Sequence, residues 1–338
     1  MLEHPGPGIS CGARLSRRDL LAATAAVVAA PGIASGAPGR VPAGTIRFIV
    51  PFAPGGSVDV LGRAVAKAVG EALGQQTLVE NVAGGSTNLG SERVAKAAPD
   101  GLTILVASDS LAINKSLFPR LSFDPVASFA PVTLAITAPQ LLVTHPRSGL
   151  NTVADYVAAA RARPGELKVG LPGHGVIGHL ASELVNRRLA GLKVNHIPYN
   201  GGAPASRDLL GGHLDALFIT LPAVTAQVRD GTLRGLATTT ARRSAALPDV
   251  PGFAETVVPG LDLASWQGFL VPAGTPADIV AGLDAAIATA LRGPSARPTL
   301  EGLGFDIVAA GPEPFGKLIR DDVARFAEIV HDAGLAGT

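Results

Sequence analysis

The chain has 338 residues, of which 47% are apolar and 16% charged, and its formal net charge is +1. This length and composition indicate a globular protein of one large or two ordinary domains, while the low charge and the 4% of aromatic residues argue against a nucleic-acid partner. The only cysteine, Cys11, excludes an intrachain disulfide and a cysteine-based metal site.

The N-terminal segment has the organisation of an export signal. Arg17 and Arg18 precede an uncharged, Ala-rich stretch at residues 20–37 that ends in small residues. The arginine pair before a weakly hydrophobic run predicts a twin-arginine signal over residues 1–37, cleaved near 34–37, and a mature protein in the periplasm. An ordinary secretory signal with two chance arginines is the alternative. No later apolar run reaches the length of about 20 residues that a membrane span needs.

The first block after the signal alternates strands with helices. Residues 45–50 are predicted to form a strand, and a helix is predicted to begin at Ser57 after a Pro/Gly turn. A second strand at 76–82, a short helix near 88–98 and a third strand at 100–108 follow. This βαβαβ order predicts a mostly parallel sheet covered by helices.

A second block repeats the same order further along the chain. Its predicted strands lie at 167–171, 193–198, 213–219 and 233–239, with helices after the first two. The C-terminal part holds predicted helices near 276–292 and 312–333, with a strand at 305–308 between them.

Two extended, charge-poor stretches, 129–146 and 261–276, bracket the second block. They predict that one α/β lobe is inserted into another, so that the chain crosses between them twice. The expected first lobe is discontinuous, at 45–138 and 268–338, and the second lobe is 139–267. The only tryptophan, Trp266, lies in the second crossing, where it could report closure or belong to the core. Ligands of such folds bind at the carboxyl ends of the strands.

Four loops share one design, in which a strand is followed by a glycine-containing turn and a helix start. They are residues 53–57, 83–87, 172–175 and 200–203. Glycine lets the backbone approach a ligand, and a helix start offers unpaired N–H groups with a partial positive charge. Two such loops from each lobe could hold a small anion without a basic side chain. The alternative is that all four are ordinary βα turns.

Asp59, just inside the first predicted helix, has two interpretations. It is either a first-turn acid favoured by the helix dipole or a residue that orders the cleft and its waters. Ser57 and Ser86 are predicted as helix caps or ligand hydroxyls, since no G-x-S-x-G motif is present.

Rival motifs for cofactors and metals are incomplete. Residues 173–178 match G-x-G-x-x-G, but the next strand ends in Pro198, Tyr199 and Asn200 where a dinucleotide site needs an acid. Residues 85–91 have P-loop spacing without its lysine. With no H-E-x-x-H motif, His179 is interpreted as a hydrogen-bonding histidine, and we expect neither cofactor nor metal.

Several segments resemble, in order and spacing, the Bug family of periplasmic solute-binding proteins, the TctC-like receptors of tripartite tricarboxylate transporters. They are "IVPFAPGGSVDVLGRAVA", "VENVAGGSTNLGSERVAKAAPDGLTILVAS", "LSFDPVASFAPVTL", "HIPYNGGAPASRDLLGGHLDALF", "RRSAALPDVPGFAE" and "FLVPAGTP". The resemblance runs from about Thr45 to the C-terminus, which is nearly the whole mature chain.

The resemblance implies a type II periplasmic-binding-protein fold, an α/β protein of two βαβ lobes. Their mixed, mostly parallel sheets would be joined by two extended linkers, with a Venus-flytrap cleft and no catalysis. In the family, main-chain groups and ordered water of two first-lobe loops, here 52–59 and 84–88, hold one ligand carboxylate. Second-lobe loops, here 173–176 and 199–203, tune specificity.

The ligand-binding residues expected from the resemblance and from the strand ends are Phe52, Pro54, Gly55, Gly56, Ser57, Asp59, Gly85, Ser86, Thr87, Asn88, Ser108, Gly173, His174, Gly175, Val176, Tyr199, Gly201, Gly202, Ala203 and Ile219. The expected partners are a small carboxylate and the membrane subunits of a tripartite tricarboxylate-type transporter, and the protein is expected as a monomer. A receptor that docks on a sensor protein without transport is the alternative, and an exported enzyme is a weaker one.

The chain departs from the family pattern at three places. Ser86 and Thr87 bring hydroxyls into a loop where glycine is usual. Residues 170–173 lack the usual serines, and Val176 stands where Ser or Thr is common. Ile219 replaces an Asp that many members carry, so a ligand amine would lose a plausible partner. These departures favour a non-amino carboxylate with an apolar body.

Overall fold

The structure, a computed structural model, describes residues 40–332 together with Met1 and Leu335. The predicted arginine pair and the cleavage site lie outside these residues. Within the described part of the chain, no helix combines the length and apolarity needed to cross a membrane.

The first sheet begins with the βαβ unit predicted from the sequence. β1 (Ile46–Val50) pairs in parallel with β2 (Thr77–Asn81) on one side and β3 (Thr103–Ser108) on the other. α1 (Ser57–Leu73) connects β1 to β2 and ends at Gly74, whose φ of 62° is the left-handed conformation that glycine adopts readily. The helix covers the sheet with Val58, Leu61, Val65 and Val69, the residues that recur at helical spacing.

The remaining strands of the first sheet join it through antiparallel pairs. β9 (Ala264–Pro272) pairs with β3 and with the first part of β4 (Phe129–Thr144). β10 (Asp306–Ala310) pairs with β4 as well. The long extended stretches predicted at 129–146 and 261–276 are therefore β4 and β9.

The second sheet is built around the end of β4. β5 (Lys168–Leu171) runs parallel to β6 (Asn195–Pro198) and to β7 (Ala216–Thr220). β7 and β8 (Arg234–Thr238) both pair with the last residues of β4 in the antiparallel direction. We call the elements on the first sheet the first lobe and those on the second sheet the second lobe.

The other helices follow the order of the two blocks. They are α2 (Asn88–Ala95), α3 (Ser110–Leu117), α4 (Val153–Ala162), α5 (Ile177–Arg188), α6 (Gly202–Leu210), α7 (Thr225–Arg229), α8 (Phe253–Thr256), α9 (Ala277–Arg292), α10 (Arg297–Leu303) and α11 (Pro312–Asp332). Short 3-10 turns lie at Pro146–Ser148 and Leu221–Ala223.

The buried side chains form separate clusters on the two lobes. Phe48 and Phe269 meet edge to face in the first lobe, with ring centroids 6.0 Å apart. Phe218 belongs to a second cluster, and Leu117 of α3 and Phe326 of α11 belong to the same one. Both helices therefore contact the core of the second lobe. The predicted lobe boundaries, after 138 and after 267, fall inside β4 and β9, and their exact position stays a prediction.

Thr239 ties the two crossing segments together. Its N–H donates to Gln140 O at 3.0 Å, and its carbonyl accepts from Leu263 N at 2.9 Å. Its hydroxyl donates to Leu263 O at 2.6 Å and accepts from Gln140 N at 3.1 Å. One fully buried residue thus joins the chain leaving the first lobe to the chain returning to it.

Trp266, for which the sequence allowed either a reporter of closure or a core residue, belongs to the core. It is 2% exposed, and its Nε1 donates to Asp322 Oδ2 at 2.7 Å. Its ring meets Phe315 edge to face at 5.3 Å. These contacts anchor the second crossing segment to α11.

Candidate functional site

A cavity lies where the carboxyl ends of strands from both sheets face each other. It holds about 470 Å³ of space between protein atoms, part of it open to solvent. Its walls come from residues at or after the ends of β1, β3, β5, β6 and β7 and from β4 and β9 themselves. A second cavity of about 580 Å³ adjoins it, sharing Phe52, Pro172 and Val176. We call them the first cavity and the second cavity.

Four helices point their N-termini at the first cavity. Gly56, Ser57 and Val58 begin α1, Asp109 and Ser110 begin α3, Val176, Ile177 and Gly178 begin α5, and Gly202 begins α6. Each helix start carries unpaired N–H groups and a partial positive charge. Among the lining residues of this cavity there is no lysine, arginine or histidine. The arrangement favours an anion through backbone dipoles alone.

Asp59 orders the loop after β1. Its Oδ2 accepts from Gly55 N–H at 2.9 Å and from Arg63 Nε at 3.0 Å, and its Oδ1 accepts from Asn81 Nδ2 at 2.8 Å. Burial raises the pKa of this carboxyl, but the hydrogen bonds from Arg63, Gly55 and Asn81 together lower it below its ordinary value. The ionised side chain therefore points back into its own lobe, which supports the ordering interpretation.

Asn114 of α3 orders the second loop in a similar way. Its Nδ2 donates to Ser86 O at 2.6 Å and to Asn88 Oδ1 at 2.7 Å. Ser86 and Thr87 have φ angles of 51° and 79°, in the left-handed region that side chains rarely adopt. Their positive φ is the physical reason that glycine suits this loop, and here the amide of Asn114 holds the strained conformation.

A buried acid, Asp109, lines the first cavity. It is 1% exposed, and its Oδ2 accepts from Ser265 Oγ at 2.5 Å and from Trp266 N–H at 3.2 Å. Burial raises the pKa of this carboxyl to about 7, against the lowering effect of the two hydrogen bonds, and the nearby charge of Asp322 raises it further. The site thus contains a carboxyl that is partly protonated near neutral pH.

The loops of the two lobes touch across the cleft. Ala53 N–H, after β1, donates to Asn200 O, after β6, at 3.0 Å. Gly201 lies so close that a Cβ on it would come within 3.1 Å of Ala53 N. A Cβ on Gly55 would lie 3.3 Å from the Cβ of Ala203. These close approaches need glycine at both loops.

Histidines cluster behind the third loop. His179, His196 and Glu183 place three potential metal-ligand atoms within 4.8 Å of one another. His179 Nδ1, however, accepts from Gly175 N–H at 3.1 Å, and His196 Nε2 lies 2.8 Å from Ser182 Oγ. Burial lowers the pKa of His179 to about 4, helped by the charges of His196 and His174. His179 is a neutral residue that holds the third loop, and a metal here would have to displace these hydrogen bonds.

The predicted site residues fall into three groups. Lining the first cavity are Phe52, Gly56, Ser57, Ser108, Val176, Gly202 and Ile219. Lining the second cavity are Phe52, Ser86, Thr87, Gly173, His174, Val176 and Tyr199. Lining neither are Pro54, Gly55, Asp59, Gly85, Asn88, Gly175, Gly201 and Ala203. The third group supports the loops or forms the contact across the cleft, and its role toward a ligand stays a prediction.

The sequence did not point to much of the first cavity. The additional lining residues are Val58, Asp109, Ser110, Gln140, Pro172, Ile177, Gly178, Thr220, Ala223, Ser265 and Gln267. Asp109 and Ser110 directly follow the predicted strand at 100–108, and that position at a strand end was a usable signal. Gln140 and Gln267 lie inside the crossing strands, where no motif marked them.

Known proteins resemble this chain over most of its length. A family model described as "Tripartite tricarboxylate transporter family receptor" matches residues 61–335. BugT of Bordetella pertussis is 36% identical over 318 residues, covering 93% of this chain and 97% of that protein.

Two solved structures carry ligands in their descriptions. MatC of Rhodopseudomonas palustris with bound malate is 29% identical with a TM-score of 0.80, over 85% of this chain and 98% of that one. Rpa4515 of R. palustris, with adipate, is 32% identical with a TM-score of 0.83, over 87% and 98%. The similarity in sequence and the similarity in fold point to the same kind of protein.

Proposed function

The chain belongs to the tripartite tricarboxylate transporter receptor family, and from this membership we propose that it captures a small carboxylate between its lobes and delivers it to a transporter of that type. Members of the family are periplasmic solute-binding proteins with a two-lobed α/β fold. The family is one of receptors, and the proposed role is accordingly binding without turnover.

One observation carries the proposal. The N-termini of α1, α3, α5 and α6 converge on the first cavity, whose lining residues include no fixed cation. An anion of one or two carboxylates would be held there by N–H groups and hydroxyls contributed by both lobes. Because only the closed cleft offers both sets of contacts, the ligand would favour closure by its differential affinity for that state.

The proposal is tested with the purified mature chain and a panel of carboxylates that includes malate, succinate, adipate and glutamate. A ligand should raise the midpoint of thermal unfolding in a concentration-dependent way, because it binds only the folded protein. The same ligand should compact the molecule in solution scattering and should be recovered chemically unchanged. Sulfonates and neutral amides of the same carbon skeletons are the controls. A panel in which no carboxylate shifts the midpoint would contradict the proposal.

Localisation has a separate test. We propose export to the periplasm through the twin-arginine route. Replacing Arg17 and Arg18 with lysine should leave the precursor in the cytoplasm, measured by cell fractionation. The lysine pair keeps the charge that a general secretory signal needs, so normal export of the double variant would assign the general route instead.

A further inference from the structure

Gln267 lines the first cavity and carries an acceptor that no described residue uses. The side chain is 1% exposed and lines the cavity from β9. Its Nε2 donates to Ser57 Oγ at 3.0 Å, which fixes the orientation of the amide. Its Oε1 is buried and has no hydrogen-bond partner among the described residues. An amide oxygen can only accept, so this atom needs a donor from outside the chain.

A second unpartnered group lies just after β3, the strand that pairs with β9. Ser110 is 1% exposed, begins α3 and lines the same cavity, and its Oγ has no partner among the described residues. A hydroxyl can donate or accept, so Ser110 can complete the hydrogen bonds of a group that donates to Gln267. Ser108 faces Gln267 in the strand register, which brings the start of α3 beside it.

Buried polar atoms are nearly always hydrogen-bonded, and an unmet acceptor costs free energy in any state that excludes water from it. An ionised alkyl dicarboxylate carries only acceptors. It would fill the cavity, displace water and leave Gln267 Oε1 unpaired. A carboxylate that also carries a donor would pair with it.

We propose that Gln267 and Ser110 form a subsite that selects carboxylates bearing a hydrogen-bond donor, a hydroxyl or an ammonium group, over their unsubstituted analogues. This inference rests on the proposed function of carboxylate capture and adds the ligand chemistry that the cavity prefers. The helix N-termini hold the carboxylate, and the subsite recognises the substituent.

Matched ligands on one carbon skeleton test the subsite. Succinate, malate and aspartate differ only in carrying no substituent, a hydroxyl or an ammonium, and glutarate, 2-hydroxyglutarate and glutamate repeat the series with one more carbon. In each series, calorimetry should show that either the hydroxyl ligand or the ammonium ligand binds at least about tenfold more tightly than the unsubstituted ligand. Whichever of these two substituted ligands binds more tightly identifies the preferred donor as a hydroxyl or an ammonium group.

Variants assign the preference to named atoms. Gln267→Met keeps the length of the side chain and removes the acceptor, so it should reduce the preference to about twofold or less. Ser110→Ala should reduce it in part. Thr238→Val removes another buried, unpartnered oxygen that lies outside the cavity lining, and it should leave the preference unchanged. Gln267→Met also loses the hydrogen bond from Nε2 to Ser57 Oγ, so its ligand-free unfolding midpoint is measured in parallel. The preference is a ratio of affinities within one variant, so a lower midpoint would not account for its loss.

Three outcomes would overturn the inference. They are equal affinity across both series, an unreduced preference in Gln267→Met, and a donor-free carboxylate that binds as tightly as the best of the six. Each of these leaves carboxylate binding itself intact. The proposed function fails only if no carboxylate binds, so the two failures are distinguishable.

Discussion

Replacing Gly201 with alanine should weaken carboxylate binding by about tenfold to a hundredfold. The new Cβ would come within 3.1 Å of Ala53 N and 3.3 Å of Ala53 Cβ, on the far side of the cleft. The neighbour is backbone and cannot rotate away, so the two loops must shift apart by a few tenths of an ångström. This shift also lengthens and weakens the hydrogen bond from Ala53 N–H to Asn200 O, which is 3.0 Å long. Calorimetry would measure the affinity, and scattering would show less ligand-induced compaction.

Gly191→Ala is the control for backbone strain. It is needed because Gly201 has a positive φ, of 137°, so an alanine there is strained apart from its contact with Ala53. Gly191 has a φ of 71° and open space around its Cβ position. Gly191→Ala should lose about 1 kcal/mol of folding stability from its left-handed conformation. Gly201→Ala should lose about 1–3 kcal/mol, because its φ of 137° and ψ of 171° lie in a region nearly restricted to glycine. Only Gly201→Ala should lose affinity. Wild-type affinity in Gly201→Ala would show that contact between these loops is not part of the bound state.

Affinity for a carboxylate without an amino group, such as malate or succinate, should fall by about ten- to thirtyfold between about pH 6 and about pH 8.5. Burial raises the pKa of Asp109 to about 7, so this carboxyl in the cavity wall is mostly neutral at the lower pH and ionised at the higher. An ionised Asp109 repels the bound carboxylate, and only the protonated fraction binds well. An ammonium-bearing ligand would show the opposite trend.

Asp109→Asn should abolish this pH dependence and bind with the affinity that wild type has near pH 6. The amide oxygen can still accept from Ser265 and Trp266, as Asp109 does. His179, with a pKa lowered to about 4, stays neutral throughout this range, and Asp322 is the other nearby acid whose pKa is raised. If the pH dependence of affinity persisted in Asp109→Asn, a group other than Asp109 would be responsible for it.

The same variant should change folding stability in a direction fixed by linkage. The ordinary pKa of 3.8 rises to about 7 in the folded protein, so the unfolded chain loses this proton at lower pH. The carboxyl's contribution to folding is full below the ordinary pKa and is lost as pH rises toward 7, by up to about 4 kcal/mol. Above pH 7, Asp109→Asn should therefore be more stable than wild type in denaturant unfolding.

The sequence predicts the order of strands and helices well because each lobe repeats a strongly periodic βα unit. The first helix begins at Ser57 as expected, since the glycines before it cannot continue a helix and Val58 starts the apolar stripe. Short helices such as α3 and α4 were not predicted. Their few turns carry too little periodicity to stand out from loops.

The candidate site was harder to predict, and the reason is register. Gln267 faces the cavity because it lies opposite Ser108, and Gln140 because it lies opposite Thr220. β4 has register irregularities between Pro131 and Thr133 and again between Leu134 and Ile136, so alternation along the sequence does not tell which face a residue takes. Contacts across the cleft depend on how the lobes meet, which local pattern does not encode.

Thr239 joins both crossing segments at one point. This arrangement bears on two properties of the receptor, its overall affinity and its selectivity among ligands. If the lobes open and close as proposed, the segments joined at Thr239 would bend together, and opening would be close to a motion with a single degree of freedom. Substitutions at Thr239 would alter the balance of open and closed forms by the same factor for every ligand. Substitutions in the cavity wall would instead alter the ranking of ligands. Overall affinity and selectivity could therefore change independently. Thr239 would set the overall affinity, and cavity residues such as Gln267 and Asp109 would set which ligand binds best.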